Sequence, residues 1–251
     1  VSGGHVYGET LTAVTGAFST DPNGYATGEI SYQWTRDGGD IAGAAGTSYT
    51  LTAEDVGKVI NLRVTATNCQ SPIASDNTSA VAKATQDTLS PPILDFAEDT
   101  SITLGDITGA EYKCGEGEWQ DSRTFTGLTP STEYTFYARM KETATHYASA
   151  SSGPSVLQTL KAVQPAPDPP TVSLVSVTDV KFVQITNAQY RMGGGAWRDI
   201  GSFSGLQPNT TYTFSMRMKE TTTHQASPPS APVTVTTLKR TQHAVPNPPT
   251  L

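Results

Sequence analysis

Cysteine is nearly absent: 251 residues contain two, Cys69 and Cys114. By the module boundaries argued below they belong to different modules, so no disulfide staples a single domain and each core has to close by packing. Cys114 stands where a later copy of the same segment has Met192, which points to small apolar packing rather than a reactive or metal-binding thiol. Long apolar runs are also missing. No stretch approaches the ~20 residues needed to cross a bilayer, and Val1 opens directly into polar, Gly-rich sequence. A signal and an anchor are therefore expected outside this segment, and no membrane contact within it. Clusters of Lys and Arg are lacking, with 16 basic against 23 acidic residues and a net charge of −7. Nucleic acid is excluded as a partner, because phosphate binding draws its affinity from clustered cations. Runs of Leu, Ala, Glu and Lys at helical spacing are scarce, which leaves little room for helix.

Thr, Ser, Gly, Pro, Val and Tyr are abundant instead, the composition of short strands joined by turns. One stretch occurs twice. Residues 119–161 read WQDSRTFTGLTPSTEYTFYARMKETATHYASASSGPSVLQTLK, and 197–239 read WRDIGSFSGLQPNTTYTFSMRMKETTTHQASPPSAPVTVTTLK. About half of the aligned positions are identical at a spacing of about 78 residues, which marks tandem units. A unit of that length can be a small domain, and the length of the chain then allows three.

In the first module Ile30, Tyr32 and Trp34 alternate with Ser31, Gln33 and Thr35, giving a strand with one apolar face. Arg36 to Asp40 (RDGGD) are turn-formers that reverse the chain into a hairpin. Tyr49 and Leu51 lead into a tight corner at Ala53 to Gly57 (AEDVG). Ile60, Leu62, Val64 and Ala66 then alternate inward along a long core strand. The segment YQWTRDGG followed by SYTLTAEDVGKVINLRVTAT resembles the bacterial immunoglobulin-like modules of large cell-wall and surface-layer proteins. That resemblance implies a β-sandwich with Trp34 on a central strand, here without the Cys pair of antibody-type domains.

Ile102, Leu104 and Ile107 align with Val180, Phe182 and Ile185 as short apolar strands early in the two repeats, and Tyr112 and Tyr190 precede the Gly-rich hairpins CGEGEW and MGGGAW. After the hairpins come GLTPSTEYTF and GLQPNTTYTF, in which Leu128, Pro130 and Tyr134 match Leu206, Pro208 and Tyr212. This is similar to fibronectin type III domains, and the similarity implies a corner in which the Tyr hydroxyl bonds back to the backbone. Downstream, Tyr134, Phe136, Ala138 and Met140 share one parity, as do Tyr212, Phe214, Met216 and Met218. Each set reads as a half-buried strand. Residues 85–92 (TQDTLSPP), 161–170 (KAVQPAPDPP) and 239–249 (KRTQHAVPNPP) read as linkers, the Pro-rich ones as semi-rigid polyproline spacers. The closing PPTL repeats the PPTV of residues 169–172, so 248–251 are expected to begin a further linker or repeat.

Chemistry finds little foothold. Glu116, Glu118 and Asp121 form the densest acidic group of the second module, but the third has Gly194 and Ala196 in place of the two Glu, so a solvated hairpin is favoured over a pair of catalytic carboxylates. His146 and His224 recur in THYAS and THQAS without a ligand at metal spacing, and a loop or cap role follows. Asp21 to Gly24 (DPNG) and Asp37 to Asp40 (DGGD) place oxygens on turns, yet neither matches a calcium loop. Trp119 and Trp197 would make sugar-stacking platforms if they pointed outward; their recurrence alongside the core pattern favours packing. The sequons at Asn77 and Asn209 matter only in a glycosylating host.

The expectation is an all-β chain of three tandem β-sandwich domains: immunoglobulin-like over 1–86, then fibronectin type III-like repeats over 87–167 and 168–247. It is expected to be a monomeric, non-enzymatic, extracellular stalk or adhesion region at a bacterial cell surface or wall, without cofactor, metal or catalytic residue. Its expected partner is a host or neighbouring-cell protein or glycan, with the binding residues unassigned. The alternative is a carbohydrate- or glycoprotein-binding accessory region of a secreted polysaccharide hydrolase.

Overall fold

A computed structural model of the chain describes residues 1–14, 28–68, 73–75 and 78–241. The first module supplies β1 (Thr10–Thr12), β2 (Ile30–Arg36), β3 (Gly39–Asp40), β4 (Ser48–Thr50), β5 (Ile60–Ala66) and β6 (Ile73–Ala74). The next repeat supplies β7 (Leu94–Ala97), β8 (Ser101–Leu104), β9 (Ala110–Cys114), β10 (Thr124–Thr126), β11 (Glu133–Met140) and β12 (Ser155–Gln158). The last supplies β13 (Val172–Val175), β14 (Val180–Phe182), β15 (Ala188–Met192), β16 (Ser202–Phe203), β17 (Thr211–Met218) and β18 (Val233–Thr236). Among the described residues the one helical element is a 3₁₀ turn at Ala53–Asp55. The chain is all-β and built of tandem β-sandwiches. It divides into two compact units, Val1–Ile93 with Gly105–Arg123 and Thr135–Ser155, and Leu94–Leu104 with Thr124–Tyr134 and Val156–Leu251.

In the first unit β2 and β5 run antiparallel from Ile30↔Ala66 to Arg36↔Ile60 within a sheet of order β3-β2-β5-β6, while β1 pairs with β4. The RDGGD hairpin forms as its residue types dictate. Asp37 (φ 48°) and Gly38 (φ 88°) take the two left-handed positions that carry β2 into β3. Trp34 is fully enclosed and packs with Leu11, Leu51, Ile60, Leu62 and Val81. Its indole N–H donates to the Gly46 carbonyl at 3.0 Å, which removes the cost of burying that donor.

The AEDVG corner turns on Asp55, a carboxylate with no solvent exposure. It accepts from Arg36 Nε (2.7 Å), Tyr49 Oη (2.8 Å), the Thr52 amide (2.7 Å) and the Thr52 hydroxyl (2.9 Å). Burial by itself would raise its pKa, but these donors outweigh burial and hold it below the ordinary carboxylate range. The same unit contains the β9–β11 ladder, in register from Ala110↔Met140 to Cys114↔Phe136. Phe136 and Ala138 on one parity of β11 are fully buried, as the alternation predicts.

In the second unit β8 lies between β7 and β10. The third repeat forms a sandwich of two sheets, β13-β14-β16 and β15-β17-β18. Its core draws Val180 and Phe182 from β14, Phe203 from β16, Tyr190 from β15, and Phe214 and Met216 from β17. The rings of Phe182, Phe203 and Phe214 meet at 4.8–6.2 Å between centroids, two of the three contacts edge-on, the spacing favoured by aromatic quadrupoles.

The implied tyrosine corner is present in both repeats. Tyr134 Oη accepts from the Thr129 amide at 2.8 Å, and Tyr212 Oη from the Gln207 amide at 2.9 Å. A second pair of tyrosines, for which the sequence suggests only a place before the hairpins, does comparable work further in. Tyr112 accepts from the Ile107 amide and donates to the Gly105 carbonyl; Tyr190 does the same with Ile185 and Val183, all at 2.8–3.1 Å. Each phenol thereby satisfies two backbone groups outside the strand ladder.

Candidate functional site: a clasp repeated at two linkers

At two of the linkers, residues 83–86 and 161–164 make the same four-residue grip on the loop that follows β11 or β17. In the first unit Ala84 pairs in parallel with His146: its amide donates to the Thr145 carbonyl and its carbonyl accepts from the Tyr147 amide, both at 2.9 Å. Lys83 Nζ reaches Glu142 (2.6 Å) and the Thr143 carbonyl (2.7 Å). Gln86 Nε2 donates to the carbonyls of Lys141 (3.0 Å) and Tyr147 (2.7 Å). The chemistry explains the residue types. A primary amide has two donors on one nitrogen and so can bridge the two sides of a loop mouth, and an ammonium can serve a carboxylate and a carbonyl together.

The second unit repeats the arrangement 78 positions on. Ala162 pairs in parallel with His224 through Thr223 and Gln225, again at 2.9 Å. Lys161 Nζ reaches Glu220 (2.5 Å) and the Thr221 carbonyl (3.0 Å), and Gln164 Nε2 reaches the carbonyls of Lys219 (2.9 Å) and Gln225 (2.6 Å). Lys161 holds the Glu220 carboxyl below its usual range.

The receiving loop is shaped by its own Thr and His. The Thr143 amide donates to the His146 carbonyl (2.9 Å), and the His146 amide donates to the Thr143 hydroxyl (3.0 Å). His146 Nδ1 lies 2.9 Å from the Thr145 hydroxyl, and Thr221, Thr223 and His224 repeat each contact. The imidazoles thus have the loop role expected of them, and the structure adds what the loop receives. The first loop carries one further contact, an edge-on approach of the Tyr7 ring to His146 with centroids 5.3 Å apart.

One expectation is refined by this geometry. The opening residues of the linkers are hydrogen-bonded elements rather than spacers, and their hold comes from these bonds rather than from proline. A signal for them was available in the sequence: Lys83 and Gln86, Lys161 and Gln164, and Lys239 and Gln242 form a K-x-x-Q pattern at the repeat spacing. Gln242 lies outside the described residues.

Trp119 and Trp197 are half-buried and outside the cores; the packing inferred from their recurrence takes place on the outer sheet face. Lys113 Nζ and the Arg139 guanidinium lie 5.4 and 4.3 Å from the Trp119 ring centre, and the guanidinium groups of Arg191 and Arg217 lie 4.4 and 4.7 Å from that of Trp197. Cations already occupy the π surface that a stacked sugar would use.

The remaining candidates are dispersed. Glu116 and Glu118 are exposed, and Asp121 pairs with Lys141 at 2.6 Å, an exposed pair that raises the lysine pKa. Asp37 accepts from the Val59 amide and faces Lys58, and Asp40 pairs with Arg63. The Asp21–Gly24 turn, Cys69 and Asn77 lie outside the described residues. Cys114 is free and partly buried, and burial pushes its thiol pKa up. Among the described residues no group of three or more His, Cys, Asp or Glu is placed to hold a metal, and no helix is long and apolar enough to cross a membrane.

No family model and no curated protein matches the chain. Among solved structures it is similar to the FN1–FN3 domains of chicken CNTN1, at 15% identity and a TM-score of 0.29, covering 95% of this chain and 97% of that one. It is also similar to a segment of two fibronectin type III domains from chicken tenascin, at 15% identity and a TM-score of 0.35, covering 59% of this chain and 98% of that one.

Proposed function

We propose that the chain is a non-enzymatic, extracellular stalk or adhesion region of a bacterial cell-surface protein. In this reading residues 1–86 are an immunoglobulin-like module, and 87–167 and 168–247 are fibronectin type III-like repeats. The observation that carries it is the duplicated clasp. A stalk has to pass load and orientation from one module to its neighbour, and a linker whose first four residues make six hydrogen bonds to the next module's loop does so, whereas a free tether does not. The tyrosine corners at Tyr134 and Tyr212 support the fibronectin-like assignment, because they form the bond that the motif implies. Antibodies raised against the chain test the location. They are expected to label intact, unpermeabilised source cells, and labelling that requires lysis overturns the reading.

A further inference from the structure

The clasp bonds are the same at both linkers, with Gln225 standing where the first clasp has Tyr147, but the outer faces beside the two tryptophans differ in charge. Over 111–123 and 137–141 the second repeat sets Glu111, Glu116, Glu118 and Asp121 against Lys113, Arg123, Arg139 and Lys141, a net charge of 0. Over the matching 189–201 and 215–219 the third sets Asp199 alone against Arg191, Arg198, Arg217 and Lys219, a net charge of +3 in a chain whose total is −7. The bonding follows the substitutions. Arg139 Nε meets the Glu111 carboxylate at 2.6 Å, whereas Arg217 reaches the neutral Gln189 amide oxygen at 3.0 and 2.9 Å. Asp199 is committed to Lys219 (2.8 Å) and Gln189 (3.0 Å), and these contacts lower its pKa. Arg191, Arg198 and Arg217 therefore have no carboxylate partner among the described residues, and Arg191 Nε is buried without any hydrogen-bond partner.

Beside these groups lies an open groove of about 790 Å³ lined by Gln189, Trp197, Arg198, Asp199, Ile200 and Ser202. Arg198 is exposed and lies over the Phe203 ring at 5.0 Å, and Ile200 is 66% exposed. The second repeat has Gln120 and Ser122 at the positions of Arg198 and Ile200. Guanidinium groups donate forked, charge-assisted pairs of hydrogen bonds to carboxylate or sulfate oxygens. The Ser202 hydroxyl and the one Gln189 N–H not given to Asp199 suit hydroxyls, and the exposed side chain of Ile200 suits the C–H face of a sugar ring. We propose that this groove of the third repeat binds an acidic polysaccharide, one whose sugar units carry carboxylate or sulfate groups. The site goes beyond the stalk reading, since a stalk needs no ligand.

Binding of the full chain to polygalacturonate, to neutral dextran and to polyglutamate tests the assignment at low and at physiological salt. Polygalacturonate is expected to bind, more weakly as salt rises, while dextran and polyglutamate do not. Arg198→Gln is expected to weaken binding about 10-fold, as loss of one charge-assisted pair implies, and Arg198→Glu further, both with an unchanged melting curve. Glu116→Gly, Glu118→Ala and Gln120→Arg introduced together in the second repeat are expected to increase the number of polygalacturonate sites. Equal binding of dextran, equal binding of polyglutamate, or full binding by a folded Arg198→Glu chain would each overturn the proposal.

Discussion

Replacing Asp55 by Asn tests most directly how the first module holds together. The side chain keeps its shape but loses its charge, and its NH₂ cannot accept from a guanidinium. Arg36, whose pKa this carboxylate raises, would lose its 2.7 Å partner, and at least one of Tyr49 Oη, the Thr52 amide and the Thr52 hydroxyl would lose its acceptor. Removing one partner of a buried ionic pair costs about 3–5 kcal/mol, because the groups left behind are desolvated without compensation. Retained hydrogen bonds to Asn, together with the partial exposure of Arg36 and its second carboxylate partner Glu54 at 2.8 Å, place the expected loss near the lower end, about 3 kcal/mol. For a domain of this size that lowers the midpoint by about 12–24 °C. Calorimetry of the full chain should show one transition moving, and hydrogen exchange should locate the change to β2, β5 and the Ala53–Asp55 turn. The pH dependence follows from the sign of the shift. Asp55 has a folded pKa below its unfolded value, so its contribution is complete above the unfolded pKa of about 3.9 and is lost as pH falls through the folded value. The wild-type transition should therefore fall on acidification, and the Asn variant should show a flatter profile. A midpoint within about 2 °C of wild type at neutral pH would refute the reasoning, since it would mean that four buried hydrogen bonds contribute nothing net.

Three further outcomes can be measured in the same chain. Ser152 accepts from the buried Ala138 amide (3.0 Å) and donates to the Gly153 carbonyl (2.9 Å), so Ser152→Ala should cost about 1–3 kcal/mol in chemical unfolding, while Ser151→Ala beside it stays within about 0.5 kcal/mol. Gln164→Ala should leave global stability nearly unchanged but speed hydrogen exchange at the Ala162 and Gln225 amides; unchanged exchange there would show that the clasp does not depend on the bridging amide. Trp197→Ala should leave the chain folded at a cost of about 1–2 kcal/mol, the scale of a partly exposed cation–π stack, and a cost of 3–5 kcal/mol would place the ring in the core instead.

Features resting on a local period were legible in the sequence. Alternation marked β2, β5, β11 and β17, positive-φ turn residues marked the β2–β3 hairpin, and the L-x-P-x-x-x-Y segment marked a tyrosine corner. Features resting on partners far apart in the chain were not. Asp55 appears in the sequence as one acid in a turn, and its role depends on Arg36 and Tyr49 arriving from β2 and β4. Ser149 and Ser152 look like ordinary loop serines, yet their hydroxyls take the amides of Met140 and Ala138 that would otherwise lack a partner. The clasp joins residues 55 to 63 positions apart, beyond any local pattern, and only the common period of its two halves betrays it.

The tandem copies also separate what the fold needs from what can vary. Between the second and third repeats the buried aromatics of β11 and β17, the tyrosine corner, the paired serines and the clasp keep their residue types or their bonds. Changing any of them leaves a buried group unsatisfied or a cavity open, and each such defect costs a sizeable share of a small domain's stability. The exposed charges around Trp119 and Trp197 are under no such constraint: they contribute little to folding, so the three exposed carboxylates Glu116, Glu118 and Asp121 can become one, Asp199, without loss of structure. A charge difference of three units at positions that are nearly neutral for stability has no explanation in the architecture. That is the physical ground for placing ligand recognition on the third repeat while the clasps serve the chain as a whole.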